Sequence, residues 1–317
     1  MSILAPVLIL NFATFYTSEK LNMSNSAVYS ILLMGSLDII YLSSLVNLLL
    51  PGTILVFAFL SFVAVISAYK LFTGKLRPQK DLYLLLNNLS CIIFTAIISI
   101  QKPVLYYWDE IRLWGPGAKA VKCFNKLYSI GINPTHMDRE YPVGNAILNY
   151  FFSFFEKDFS EQTLILSYAF LFFAVFAASA SLVYKITKSS SVSVAVYFIF
   201  LLSPFVIMFH SSSENYSNIL YAYGTSLVDM NLPVVFLLVI VLYVCAKRYY
   251  RYLLPLIFLV TIKKSGIFFA LLAFCIISCF EISNFKDKKY KLKTAAIHIV
   301  LSFAVPLSAL LLWNIHL

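Results

Sequence analysis

The sequence predicts an all-α membrane protein, a polytopic bundle of transmembrane helices with a long outer loop that carries short interfacial helices. Of the 317 residues, 61% are hydrophobic and 12% are charged, whereas about a quarter of the residues are charged in ordinary soluble domains. A single globular core cannot bury this apolar excess. The hydrophobic residues also fall in runs close to the length that crosses a bilayer, about 20 residues.

These runs define eight candidate spans. A spanning helix needs about 17 mostly apolar residues as a minimum. The candidates are residues 3–18, 27–49, 52–72, 83–100, 163–184, 191–209, 229–246 and 294–315. The first run lacks the basic start and the small-residue cleavage site of a signal peptide, so we count it as a helix.

Basic loops predict the orientation of the bundle. The net charge of +10 comes from short lysine and arginine clusters between the apolar runs, which favours membrane topology over a nucleic-acid partner. If the spans alternate, these clusters share the cytoplasmic side. Nine of the 14 acidic residues then lie in or beside two outer loops, 101–162 and 210–228: Asp109, Glu110, Asp138, Glu140, Glu156, Asp158, Glu161, Glu214 and Asp229. We therefore expect any chemistry on the outer face.

The chain divides into N-terminal helices (1–100), an outer loop (101–162) and a second set of helices (163–317). A hairpin is expected near 252–280, because basic clusters at both ends place both ends on the cytoplasmic side. Arms of about 11 to 16 residues fall short of a full span. Lys263, Lys264 and Gly266 lie near its tip, where the lysines either contact a ligand or extend to the head groups.

The outer loop opens with YYWDEIRLW, in which Asp109 and Glu110 lie between two tryptophans. Two adjacent carboxylates beside aromatic residues indicate either a membrane edge or an active site. The following Gly-Pro-Gly at 115–117 is expected to end any helix. The next segment predicts an amphipathic helix, with an apolar side (Ala118, Val121, Phe124 and Tyr128) and a basic side (Lys119, Lys122 and Lys126). Such a helix lies at the interface and attracts anionic head groups.

Other polar residues carry less information. Asp138 and Glu140 precede a Tyr141-Pro142 turn, a weak pattern by itself. Asp38 falls within the second run, where an ionisable group is either functional or hydrogen-bonded between helices. The four histidines are scattered and the five cysteines show no zinc spacing.

Four segments together resemble bacterial polytopic glycosyltransferases of the GT-C superfamily, related to protein O-mannosyltransferases and lipid A aminoarabinose transferases. The segments are WDEIRLWGPGAKA, REYPVGNAIL, YAYGTSLVDMNLPVVFLL and TIKKSGIFFALL, spread over roughly residues 100 to 280. In that family an acidic pair opens the first outer loop, an acidic-Tyr-Pro turn follows, an aspartate precedes a helix, and a lysine precedes a glycine. Here Glu140-Tyr141-Pro142-Val143 replaces the usual Asp-Tyr-Pro-Pro. The third motif is looser, since two residues separate Asp229 from Leu232-Pro233.

The resemblance implies an inverting transfer of a sugar from a polyprenyl-phosphate-linked donor to a glycan, lipid or protein acceptor, outside the inner membrane. It implies catalytic roles for Asp109 as general base and for Glu110 and Glu140 as groups that orient the acceptor or a divalent ion. The resemblance implies no specific cofactor and leaves a divalent metal open, with Asp109 and Glu110 as its candidate ligands. The implied substrate-binding residues are Arg112, Lys119, Asp138, Tyr141, Asp229, Lys263 and Lys264.

Two other classes stay open. A surface-polysaccharide polymerase or ligase would share the outer-face chemistry, and a transporter or flippase of lipid-linked substrates would share the helices and Asp38. A transporter is expected to show internal repeats with broken helices, and no convincing repeat is present. Family members usually continue beyond 317 residues, which leaves open a missing C-terminal part.

Overall fold

The computed structural model describes residues 2–76, 80–105, 108–128, 141–211, 228–246, 249–286 and 292–317. All regular secondary structure in these ranges is helical, which confirms the all-α prediction. The α-helices are α1 (Leu4–Leu21), α2 (Asn25–Leu45), α3 (Leu49–Phe72), α4 (Leu82–Gln101), α5 (Gly115–Phe124), α6 (Gly144–Phe152), α7 (Glu161–Thr187), α8 (Ser190–Ser211), α9 (Asn231–Ala246), α10 (Tyr249–Ile262), α11 (Gly266–Lys286) and α12 (Leu292–His316). A π-helical turn covers Glu110–Trp114, and a 3₁₀ turn covers Val228–Met230.

Within the described residues, six helices are long and apolar enough to cross a membrane: α2, α3, α4, α7, α11 and α12. The chain is therefore a multi-pass membrane protein. Exposed apolar side chains line the outer helices, such as Leu55 on α3 and Phe268 on α11, which are 66% and 71% exposed. Large apolar side chains exposed on helices of spanning length fit contact with lipid.

The long helices run alternately between two ends of the bundle. Residues 102–105, 108–128 and 141–160 lie at one end, which we call the loop end. There the Leu105 amide donates to Glu161 Oε2 over 2.8 Å, and Ser2 Oγ donates to Glu156 Oε1 over 3.3 Å. At the opposite end, the Ser26 amide donates to Asp81 Oδ2 over 2.8 Å. Asp81 also caps α4 by accepting from its first-turn amides, so one carboxylate joins α2 to α4.

Helix α7 forms the centre of the bundle. Its most apolar stretch is completely buried, and α2, α4, α8 and α9 pack around it. Small residues make this close packing possible. At Ala174, for example, the hydroxyl of Ser30 on α2 reaches the α7 main chain and donates to the alanine carbonyl over 3.0 Å.

The segment near 252–280 forms two helices, α10 and α11, joined at residues 263–265. Helix α10 has 14 residues, within the expected arm length. The expectation for the second arm was wrong, because α11 has 21 residues and is therefore about 31 Å long. The helix continues past Cys279 because the polar Glu281 is buried among hydrogen-bonding partners instead of ending the apolar run.

Candidate functional site

The acidic pair lies at the start of a continuous helical segment that runs from Trp108 to Phe124. The predicted break at residues 115–117 was wrong. The Gly115 amide donates to the Glu110 carbonyl five residues earlier, which is the hydrogen bond of a π-turn. A Cβ atom on Gly115 would lie 2.8 Å from the Glu110 carbonyl oxygen, so glycine permits this turn. Pro116 lies in the first turn of α5, where a missing amide hydrogen is tolerated.

Asp109 and Glu110 occupy different environments. Asp109 is exposed, whereas Glu110 is 1% exposed and interacts electrostatically with the buried Tyr168 of α7. Successive residues of a helix point about 100° apart, so the two carboxylates do not converge on one ion. The described residues contain no group of three histidine, cysteine, aspartate or glutamate side chains that suits a metal. This geometry gives the metal prediction no support.

Aromatic contacts bring three of the four segments together. The ring of Trp114 lies 5.5 Å from that of Tyr141 in an edge-on arrangement. The Lys264 ammonium lies 5.9 Å from the centre of the same tyrosine ring. The Tyr128 hydroxyl fixes this turn by donating to the Tyr141 and Pro142 carbonyls over 2.8 and 3.2 Å, and burial raises the pKa of Tyr128.

An ion pair connects the remaining segment, which contains Asp229, to the segment that contains Lys263 and Lys264. Lys263 Nζ lies 2.7 Å from Asp229 Oδ1, and the two side chains are 25% and 65% exposed. Asp229 lies in the 3₁₀ turn before α9, and Lys263 follows the last residue of α10. We call Trp114, Tyr141, Asp229, Lys263 and Lys264 the loop-end cluster. Residues more than 100 positions apart in the chain meet there.

A groove of about 1000 Å³ opens at the same end, between α5 and the start of α7, and its lining does not include the five residues of the loop-end cluster. Its lining is mostly apolar and includes Val104, Leu105, Ile111, Lys119, Phe124, Phe159, Glu161 and Gln162. Hydrogen bonds hold its wall in place, since Gln162 Nε2 donates to the Pro103 carbonyl over 2.8 Å. Lys119 is exposed and supplies a positive charge to the groove.

The amphipathic helix is shorter than expected, and three of the four residues of its predicted apolar side, including Tyr128, are buried. Ala118 and Val121 are buried, but Phe124 is 52% exposed, and α5 ends there. Lys122 is not a head-group ligand, because its ammonium donates to the Ser153 and Glu156 carbonyls over 2.7 Å each. Its partial burial lowers the pKa of Lys122. This lysine attaches α5 to the carboxyl end of α6.

The remaining predicted residues are less informative. The Arg112 guanidinium lies 5.5 Å from the centre of the Trp108 ring, on the exposed side of the helix. Asp138 and Glu140 lie outside the described residues, so their predicted roles stay predictions. Asp38 is 4% exposed, and neither of its carboxyl oxygens has a hydrogen-bond partner among the described residues.

Sequence inspection missed a buried polar cluster at the opposite end. Glu281 Oε1 accepts from the Tyr243 hydroxyl over 2.8 Å and lies 2.7 Å from His298 Nδ1. Glu281 is 1% exposed and His298 is 4% exposed. The signal was a glutamate inside an apolar run together with a histidine on the next helix. The hydrogen bonds of this buried cluster join α9, α11 and α12.

Comparison with known proteins finds no matching family model, no similar curated protein and no similar solved structure. The fold and site therefore define the chain broadly, as a multi-pass membrane protein with a charged, aromatic cluster at one end. The resemblance to the glycosyltransferases rests on the four short segments alone.

Proposed function

We propose that this chain is a membrane glycosyltransferase that moves a sugar from a polyprenyl-phosphate-linked donor to an acceptor at the outer face of the membrane. One observation carries the proposal. The four segments that resemble the glycosyltransferases lie far apart in the sequence, yet Trp114, Tyr141, Asp229 and the two lysines at 263 and 264 meet in the loop-end cluster. A resemblance without functional meaning gives no reason for this convergence.

The groove beside α5 suits the lipid part of such a donor. Its volume of about 1000 Å³ is at the upper end of ligand pockets. Val104, Ile111 and Phe124 are 66%, 55% and 52% exposed and provide apolar contacts near the end of α4, a helix of spanning length. Lys119 offers a cation to the phosphate. An isoprenoid chain can then enter from the bilayer while its head group faces the loop end.

The proposed reaction is a single displacement. The acceptor hydroxyl oxygen attacks the anomeric carbon, the bond from that carbon to the phosphate oxygen breaks, and the lipid phosphate leaves. Asp109 accepts the hydroxyl proton as general base, a role that its exposure permits. Lys263 and Lys264 stabilise the charge on the departing phosphate. Glu110 is buried, so we assign it to holding the π-turn against α7 and not to contact with the acceptor.

The charge of the opposite end supports an outward orientation of the loop end. At the opposite end the described basic residues outnumber the acidic ones: Lys20, Lys70, Lys75, Lys80, Lys185, Lys188, Arg251, Lys286 and Lys293 against Glu19, Asp81 and Glu281. Basic loops face the cytoplasm in most membrane proteins. The proposed location is therefore the inner membrane of a bacterial cell, with the cluster facing the periplasm or the exterior.

Buried ionisable groups favour a transporter as the second candidate. Asp38 and the Glu281–His298 pair lie inside helices of spanning length, and such groups often mark ion or proton pathways. The transferase needs neither group. The surface-polysaccharide polymerase or ligase has no comparable observation in its favour.

Cells with and without the gene provide the test. We expect deletion to remove one sugar from a surface glycan, lipid or protein and to accumulate the matching lipid-linked sugar. The intact gene should restore the product, whereas Asp109→Asn should not. Asp158→Asn, an exposed aspartate at the same end, is the matched control and should restore it. Unchanged glycans together with unchanged lipid intermediates in the deletion strain would refute the transferase.

A further inference from the structure

Two buried asparagines connect the elements that carry the loop-end cluster. Asn231 Nδ2 donates to Asn145 Oδ1 over 2.7 Å, and Asn145 Nδ2 donates to the Ile262 carbonyl over 3.0 Å. Asn231 is 0% exposed and Asn145 is 3% exposed. The chain of hydrogen bonds therefore joins the start of α9, the start of α6 and the end of α10.

Each link lies next to a residue of the cluster. Asn231 follows Asp229 by two residues, and Ile262 directly precedes Lys263. Asn145 follows Tyr141 by four residues. The carbonyl at Ile262 belongs to the last turn of α10, where helical carbonyls have no amide partner within the helix. An asparagine amide from a different helix satisfies it here.

The backbones are close enough for this link to fix their register. A Cβ atom on Gly144 would lie 2.5 Å from Thr261 Oγ1 and 2.6 Å from the Thr261 carbonyl oxygen. The start of α6 therefore packs directly on the main chain of α10, one residue before the Asn145 hydrogen bond. Any slip of one helix along the other would break this bond and would separate Tyr141 from Lys264.

We propose that Asn145 and Asn231 are positioning residues of the loop-end cluster, whose hydrogen bonds set Tyr141, Asp229 and Lys263 in one arrangement. Their importance for turnover rests on the proposed function. Their effect on the geometry of the cluster is independent of the proposed function. The Asp229–Lys263 ion pair reports this geometry, because it joins two of the elements that the asparagines connect.

Leucine substitutions test the assignment. Asn145→Leu leaves the amide of Asn231 and the carbonyl of Ile262 without their partner, which is costly inside a protein. The double variant Asn145→Leu/Asn231→Leu replaces both amides with side chains of similar size and leaves only the Ile262 carbonyl without its donor. It should therefore be less destabilised than Asn145→Leu, while the register loses its polar link. Asn149→Leu is the matched control. It lies one turn along α6, is 0% exposed, and its amide has no hydrogen-bond partner among the described residues.

The measurement is zero-length cross-linking of the full chain in detergent. A carbodiimide activates the Asp229 carboxylate, the Lys263 amine attacks it, an amide forms and the urea leaves. We expect mass spectrometry to find this amide in the wild type and in Asn149→Leu, and to find it reduced about tenfold or more in the double variant. Turnover should fall about 100-fold in the same variant, as expected for small displacements of reacting groups, mainly in kcat.

The outcomes separate the two proposals. If the wild type shows no transfer, the proposed function fails, and the cross-link still decides the positioning role. An unchanged cross-link in a folded double variant would overturn the role. If the double variant and Asn231→Leu both fail to fold while Asn149→Leu folds, the asparagines are structural only, and the positioning role is also overturned.

Discussion

Three lysines at the loop end have three different environments. Lys122 donates to two main-chain carbonyls, Lys263 pairs with Asp229, and Lys264 lies over the Tyr141 ring. The sequence alone presents all three as basic residues beside apolar segments. Their partners distinguish them, because a cation bound to carbonyls holds helices together, whereas a cation at the exposed cluster can meet a substrate anion.

The first prediction concerns Asp109. We expect Asp109→Asn to reduce transfer by about 100-fold to 10,000-fold, because an amide cannot accept the acceptor proton. Asp109 is exposed, so the protein should still fold and insert. The assay is single-turnover transfer with the purified protein, with Asp158→Asn as the control. Wild-type turnover in Asp109→Asn would contradict the assignment of the base.

The second prediction concerns Lys264. Loss of a charge-assisted contact costs about 1.5 to 3 kcal/mol, so Lys264→Ala should weaken donor binding by about 10-fold to 100-fold. Binding of a lipid-phosphate sugar to the purified protein checks this. Lys126→Ala removes an exposed lysine at the same end and should bind normally. Equal donor affinity in the two variants would remove the phosphate role of Lys264.

At the scale of elements, α6 connects the site to the bundle. All nine of its residues are buried, and it packs against α2, α5, α7 and α10. Lys122 and Asn145 attach its two ends to neighbouring elements. A short helix enclosed in this way has little freedom to move, which favours a rigid Tyr141 turn at its start.

Two glycines give a matched prediction for these contacts. Gly144→Ala should destabilise the protein by about 1 to 3 kcal/mol, because the added atom overlaps the main chain of Thr261. Gly35→Ala should be neutral or stabilising, because its Cβ would lie 3.6 Å from Leu254 Cδ1 and alanine favours a helix interior by up to about 1 kcal/mol. Unfolding in detergent measures both. Equal stability of the two variants would show that α6 and α10 are not in close contact.

At the scale of the whole molecule, the two ends have different polar chemistry. The loop end combines the groove and the aromatic cluster, whereas the opposite end contains the buried Glu281–His298 pair and nine of the 17 described basic residues. The central helix α7 connects the two ends, and its small residues allow dense packing.

The native Cys123 predicts the orientation in the membrane. It is exposed on α5 and lines the groove. Cys91 is buried, and Cys275 and Cys279 are exposed on α11, a helix of spanning length where lipid shields them from a polar reagent. A membrane-impermeant maleimide should therefore label the wild type on intact cells, and Cys123→Ser should lose this labelling. In the Cys123→Ser background, Lys75→Cys at the opposite end should react only after permeabilisation. Labelling of Cys123 that requires permeabilisation would reverse the proposed orientation.

The sequence by itself determined that the chain is an all-α, multi-pass membrane protein, because run length and composition fix which segments can leave water. Its resemblance to the glycosyltransferases also indicated Tyr141, Asp229, Lys263 and Lys264. Only the tertiary structure decided that these residues meet, that Glu110 is buried, that the helix continues through residues 115–117, and that two asparagines join the elements. The helix continues because the Gly115 amide donates to the Glu110 carbonyl only five residues earlier, in a π-turn that a Gly-Pro-Gly sequence does not suggest. The other features depend on contacts between residues about 30 to 120 positions apart, and local periodicity contains no information about such contacts.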